Sequence, residues 1–320
     1  MKTALADELF RQELISQSEW ENMKVEKPFS VHWDLRSLLY VGILLLSTSI
    51  GILVYKNIET IGHDVLLIII SVLTVACFIY CFKKANGYKH TKINAATIWQ
   101  DYILLTGCLL LLTLFGYAQF QYNIFGSRWG LVLFIPMILL FLAAYYFDHL
   151  GVLSLAITNL AAWAGVAITP SAILQQNDFN EERIMFTGLA LGAFLVGLSI
   201  LSKWKNIKTH FSFTYQNFGI HLFFISLLAI LFTYEGIYLL ILLALALMAF
   251  VFYKMAIREG SSYFLVVTLL YSYIGVSYAA VRLLSIDSDG GIYGMLLYFI
   301  FSGVGLITVF KKLQKKIKTQ

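Results

Sequence analysis

Ten apolar runs of about twenty residues occupy most of this chain, and short polar segments separate them. A helix needs about 20 apolar residues to cross about 30 Å of hydrocarbon. Continuous runs of this length predict helices, because a helix satisfies its own backbone N–H and C=O groups in lipid. We therefore predict an all-α polytopic membrane helix bundle with about ten transmembrane spans, at residues 36–55, 63–82, 99–119, 129–147, 150–168, 184–202, 216–233, 236–254, 261–282 and 292–310.

Composition supports this fold class and limits the domain organisation. Hydrophobic residues make up 59% of the chain, charged residues make up 13%, and the mean hydropathy is +0.78. This is more apolar surface than one soluble core of 320 residues could bury. We predict a cytoplasmic N-terminal helical segment at residues 1–33, a transmembrane domain at 34–310, and a basic cytoplasmic tail at 311–320.

Basic residues predict the orientation of the spans. With the proposed spans, 19 of the 23 Lys and Arg residues fall on the side of the two termini. The exceptions are Lys56, Arg128, Arg183 and Arg282. Because cytoplasmic loops carry the excess of Lys and Arg, both termini should be cytoplasmic. The connection at Asp148 and His149 is the weakest part of this assignment, since it carries no Lys or Arg.

The N-terminal segment has the pattern of two short helices. Apolar residues recur at helical spacing from Leu5 to Leu14, and Ser16 with Glu19 forms a capping-box start for a second helix. Pro28 ends that helix. The segment holds no catalytic group, so we expect it to serve as a packing element.

Two stretches resemble a known family. FSVHWDLRSLLYVGILLLSTSIGILVYKNIETIGH and YYFDHLGVLSLAITNLAAWAGVAITP are similar to a group of predicted bacterial membrane proteins, common in Bacteroidetes and catalogued as domain of unknown function 2157. The resemblance is expected over nearly the whole chain. It implies a bacterial inner-membrane location and a short N-terminal helical segment before the membrane helices, and it transfers no catalytic or binding residue.

Polar side chains inside the spans are the candidates for a ligand site, because ionisable and polar groups in hydrocarbon are costly. In one interpretation they line a graded path through spans five, seven and nine; in the other each forms a hydrogen bond that fixes helix packing. For His221 the alternatives are a proton-relay or ligand group and an interhelical hydrogen bond. The candidate residues are Asn159, Trp163, Asn217, His221, Tyr271, Tyr273 and Tyr278.

Other polar residues have simpler interpretations. Asp148 is expected to cap the fifth span, with a metal or proton site near His149 as the alternative. At external helix ends, Glu59 with His63 should form a surface pair, as should Arg282 with Asp287 and Asp289. The three cysteines are expected to pack as small hydrophobes; they are Cys77, Cys81 and Cys108.

Small residues and one proline bear on packing. Gly188 with Gly192, and Ala161 with Gly165, permit close helix approach. Pro136 is expected to kink the fourth span. The sequence contains no P-loop, dinucleotide-binding, zinc-protease or nucleophile-elbow motif. We expect no cofactor, no metal and no nucleic-acid partner.

The leading functional hypothesis is binding or transport of a small molecule or lipid. Ten spans divide into two sets of five, and an odd number per set would invert the second set, as in many secondary transporters. The second hypothesis is a membrane scaffold or sensor with an unidentified protein partner, and the third is an enzyme acting on a lipid. The C-terminal KKLQKKIK should attract anionic lipid headgroups.

Overall fold

Nine long helices account for most of the residues that the structure, a computed structural model, describes. These residues are 62–85, 87–92, 98–168, 182–285 and 291–318, with positions 11, 12, 16, 17, 20, 45, 49, 52 and 56; side chains are described as far as residue 313. The predicted first span and the predicted N-terminal helices lie outside these residues, apart from the isolated positions. The chain divides into two units, Met1–Leu66 and Leu67–Gln320, and all contacts given below lie within the second.

Each described helix corresponds to one predicted span, beginning with the second. Each is also long and apolar enough to cross a membrane. No strand occurs among the described residues, which confirms the predicted all-α class. The helices are α1 (His63–Lys84), α2 (Ile98–Tyr122), α3 (Trp129–Phe147), α4 (Leu150–Ile168), α5 (Glu182–Lys205), α6 (Ser212–Thr233), α7 (Tyr238–Arg258), α8 (Ser262–Leu284) and α9 (Gly291–Lys318).

Helix α9 extends further than its predicted span. It continues through the basic segment as far as Lys318, whereas the span was expected to end at 310. The positive charges that follow the apolar run therefore belong to the same helix, and Lys and Arg are good helix formers.

Helices α5 and α6 form the closest pair because glycines remove the side chains between them. A Cβ atom added to Gly192 would lie 2.6 Å from the backbone N of Phe223, and one added to Gly219 would lie 2.9 Å from the backbone N of Val196. A Cβ added to Gly188 would meet Ser226. The predicted packing role of Gly188 and Gly192 is confirmed. The backbones of α5 and α6 therefore lie against each other, as small residues at a helix contact permit.

The buried apolar residues of the described bundle form two clusters. Cys81 and Cys108 are buried in the cluster formed by α1 to α6, which confirms their predicted packing role. Phe224 and Phe252 lie in the cluster formed by α5 to α9. Pro136 is buried inside α3, and the kink there stays a prediction.

Candidate functional site

A cleft of about 1170 Å³ lies between the ends of α5 and α7. Ile200 and Trp204 of α5 line it, together with Val251 and Met255 of α7. Helix α6 contacts both of these helices. Ile200, Trp204 and Val251 are exposed. In a membrane, these apolar walls would be open to lipid.

Charged side chains surround the cleft at the end where α5 and α7 terminate. Lys203, Lys254, Arg258 and Glu259 all line it. The Lys203 ammonium donates a hydrogen bond to the Glu259 carboxylate, which links the end of α5 to the residue after α7. Lys254 Nζ lies 4.6 Å from the centre of the Phe250 ring. With one acid against three bases, the formal charge of this end is +2.

A buried ion cluster lies on the turn between α5 and α6. Lys208 Nζ is 3.2 Å from Asp148 Oδ1, and both side chains have no exposed surface. His210 Nε2 lies 2.5 Å from the same carboxylate oxygen. The backbone N–H of Lys208 also donates to His90 O, at 2.9 Å. Three connections, those after α1, α3 and α5, therefore meet at Lys208.

The structure corrects the role predicted for Asp148. Asp148 ends α3 in the left-handed region, with φ of 60°, and its N–H donates to Ala144 O. The cap of α4 is instead His149, whose Nδ1 accepts a hydrogen bond from Val152 N–H at 3.1 Å. His149 occupies the position from which an N-cap side chain accepts a bond from the third helical residue.

His149 also faces an acid on α2. Its Nε2 is 4.0 Å from Asp101 Oδ1. Burial lowers the pKa of the His149 imidazole below its ordinary value, and the Asp101 charge partly offsets that shift. The lowered pKa favours the neutral ring, whose unprotonated Nδ1 is the acceptor that the cap requires.

Three of the predicted site residues come together between α6 and α8. His221 Nδ1 lies 2.8 Å from Tyr271 Oη, and His221 Nε2 lies 2.9 Å from Tyr263 Oη. Tyr263 donates its hydroxyl proton to Asn217 Oδ1, at 2.7 Å. Since that proton is already used, the Tyr263 oxygen must accept from His221 Nε2–H. With a neutral ring, Tyr271 then donates to Nδ1, and the bonds form one directed chain.

The structure places the other predicted residues in different interfaces. Asn159 Nδ2 donates to Leu133 O at 2.6 Å, and Trp163 packs against Phe134, so both lie between α3 and α4. The Tyr273 hydroxyl is 3.0 Å from Ser302 Oγ, between α8 and α9.

Tyr278 lies at the opposite end of α8 from Tyr263. Its hydroxyl accepts from Arg282 Nη1 at 3.1 Å, and Arg282 also pairs with Glu235 at 3.2 Å. The expected partners of Arg282, at 287 and 289, lie outside the described residues, as does Glu59. The seven candidates thus divide among several interfaces, and ligand binding by them stays a prediction.

In the sequence, the basic residues of the cleft indicated only the orientation of the spans. A signal for the cleft did exist, because Lys254 and Arg258 are four residues apart and share one face of α7. No pattern could have shown that α5 supplies the opposite wall. Within the described part of the chain, no group of three or more His, Cys, Asp and Glu side chains could hold a metal ion.

Comparison with known families adds one result. Residues 7–153 match the family described as predicted membrane protein (DUF2157). The predicted resemblance is confirmed, although the match covers less than half of the chain rather than nearly all of it. The second stretch quoted for the resemblance is covered only as far as Leu153. No curated protein and no solved structure matches the chain. With the DUF2157 match, the apolar helices identify a multi-pass membrane protein.

Proposed function

We propose that this protein binds an anionic lipid of the cytoplasmic leaflet in the cleft between α5 and α7. The observation that supports the proposal is the pairing of apolar walls with a basic end in one cleft. Basic pockets between transmembrane helices on the cytoplasmic side attract anionic headgroups. The phosphate would lie at Lys254 and Arg258, and the acyl chains would lie along Ile200 and Val251.

The orientation of the cleft follows from the positive-inside rule. Lys203, Lys254 and Arg258 lie on the side that carries most Lys and Arg residues, which we propose to be the cytoplasmic face of a bacterial inner membrane. The basic end of α9 lies on the same side in this topology. We propose that it also attracts anionic headgroups, with less selectivity because it offers no cleft.

The Lys203–Glu259 ion pair gives the proposal a specific expectation. Glu259 forms an ion pair with Lys203, which is one of the three cations of the cleft. An anionic headgroup would compete with Glu259 for Lys203, so removal of the Glu259 charge should strengthen lipid binding. A lipid that is held only by apolar contact would not respond to this change.

Native mass spectrometry of the purified protein with phosphatidylglycerol or phosphatidylcholine tests the proposal. K254Q/R258Q should reduce the fraction of protein bound to phosphatidylglycerol, and E259Q should increase it. The matched control is K83Q/K84Q, which removes two exposed charges from the end of α1 on the same proposed face. Equal losses in the cleft variant and the control, or equal binding of the two lipids, would refute a selective site.

Transport of the bound lipid between the two leaflets would extend this proposal. Two sets of five spans in opposite orientation would supply the architecture, by analogy with secondary transporters. Movement of fluorescent phosphatidylglycerol between the leaflets of proteoliposomes would establish it. If the lipid stays in one leaflet, the protein binds the lipid but does not transport it.

A further inference from the structure

Two polar side chains at the α5–α6 contact are fully buried and lack partners among the described residues. Ser199 Oγ makes no hydrogen bond there, nor does either polar atom of the Gln216 amide. Both side chains have 0% exposure. Other buried polar groups in this region do have partners, as in the 2.9 Å bond between Tyr145 and Tyr215.

The packing of α5 on α6 places these two residues opposite each other. Gly219 contacts Val196 and Gly192 across the interface. The two helices run in opposite directions. About one turn from the contact between Val196 and Gly219, Ser199 follows Val196 in α5 and Gln216 precedes Gly219 in α6, so the two residues face each other. By helix rise, Ser199 lies about 9 Å from the end of α5 at Lys205. The three atoms therefore lie near the end of the bundle that carries the Asp148–Lys208–His210 cluster.

The chemistry of these atoms defines what would bind. The Gln216 amide offers two N–H donors and a carbonyl acceptor, and the Ser199 hydroxyl both donates and accepts. An unpaired polar group in an apolar interior is costly, and the cost is greater where lipid excludes solvent. Asp148 and Lys208 already neutralise each other, so no unbalanced charge nearby calls for an ion. The ligand that fits these atoms is a small uncharged molecule that both donates and accepts hydrogen bonds.

We propose that Ser199 and Gln216 form an internal binding site for water, which enters from the cytoplasmic end of α5 and α6. Such a water would donate to the Gln216 carbonyl and bond to the Ser199 hydroxyl. It would make this end of the bundle a hydrated inlet rather than a dry interface. The inference does not depend on lipid binding in the cleft.

The first test compares two buried glutamines. Gln119 is 1% exposed, and its amide bonds to Asn123, Phe125 and Gly126. Methionine has nearly the same shape as glutamine, so Q119M should lower the Tm by about 3–6 °C through lost hydrogen bonds. If water satisfies Gln216, Q216M should lower the Tm in the same way. An unchanged or higher Tm for Q216M would show a dry, unpaired amide and overturn the proposal.

The second test measures access directly and applies even if Q216M does not fold. In a C77A/C81A/C108A background, S199C should react with iodoacetamide faster than L195C, since a thiol reacts as its hydrated thiolate. Leu195 is fully buried one turn deeper in α5, whereas Thr209 is exposed, so T209C sets the upper limit. Equal rates for S199C and L195C would show that Ser199 is no more accessible from this end than Leu195 and would overturn the proposed inlet.

Discussion

At the scale of single residues, the connection between α3 and α4 shows how a distant partner changes a local role. Aspartate is a good N-cap residue, so the sequence predicted that Asp148 caps the next helix. Lys208, sixty residues away, takes the carboxylate instead. Asp148 then adopts the left-handed conformation that ends α3, and the cap passes to His149. Local propensity gave the position of the connection but not the assignment of its side chains.

His149 should make stability depend on pH. Its pKa in the folded protein lies below the ordinary value of about 6.5. Between the two pKa values the unfolded chain binds more protons, so stability falls as the pH drops through about 6.5. Protonation of Nδ1 would also remove the bond to Val152 and place a positive charge at a helix N-terminus. The measurement is Tm in detergent at pH 8 and pH 5.5.

Asparagine provides the matched control for that measurement. It caps helices well and does not titrate, so H149N should keep the cap at both pH values. We expect the Tm difference between pH 8 and pH 5.5 to be smaller in H149N than in the parent protein. Identical differences would show that other titrating groups cause the loss.

The predicted ligand residues show what spacing can establish. Asn217 and His221 are four residues apart, so the sequence correctly placed them on one face of a helix. Their partner Tyr263 looked like an ordinary aromatic residue at a helix end and was not singled out. Asn159 has the same chemistry but faces α3, because helix rotation and neighbours depend on packing that no single run of sequence contains.

At the scale of elements, helix positions were predictable and helix partners were not. Every described helix overlaps its predicted span, since apolar length alone determines a span. The glycines of α5 predicted a close contact but not that Gly219 of α6 would complete it. The link between the α3–α4 and α5–α6 hairpins was not predictable either, because the sequence showed Lys208 only as one of several Lys and Arg residues in the connection after α5.

The buried pair of Asp148 and Lys208 should couple those two hairpins energetically. D148N leaves the Lys208 ammonium buried without its counter-charge, which should destabilise the protein by about 3–5 kcal/mol. K208M should cost less, since His210 still bonds to Asp148. The double variant D148N/K208M removes both charges, so it should be more stable than D148N alone. Thermal unfolding of the four proteins measures this cycle.

The outcome of the cycle separates coupling from independent damage. If the Tm losses of the two single variants simply add in the double variant, the residues do not act as a pair. The matched surface control is the Lys203–Glu259 pair, where both side chains are partly exposed. Its cycle of K203M and E259Q should show coupling of about 1 kcal/mol or less.

At the scale of the whole molecule, the charge distribution predicts one orientation for the entire chain. The basic residues of the α5–α6 turn, the end of α7 and the end of α9 alternate with connections that contain few Lys or Arg residues. Each crossing reverses the direction of the chain, so one error in the number of spans would place every later loop on the opposite side of the membrane.

Reporter fusions after Gln320 and within residues 83–92 should therefore give cytoplasmic signals, while fusions within 171–182 should report the exterior. A cytoplasmic signal from 171–182 together with an exterior signal at Gln320 would show that this half of the chain has the opposite orientation. It would also place the basic cleft on the exterior, where a lipid of the cytoplasmic leaflet could not reach it.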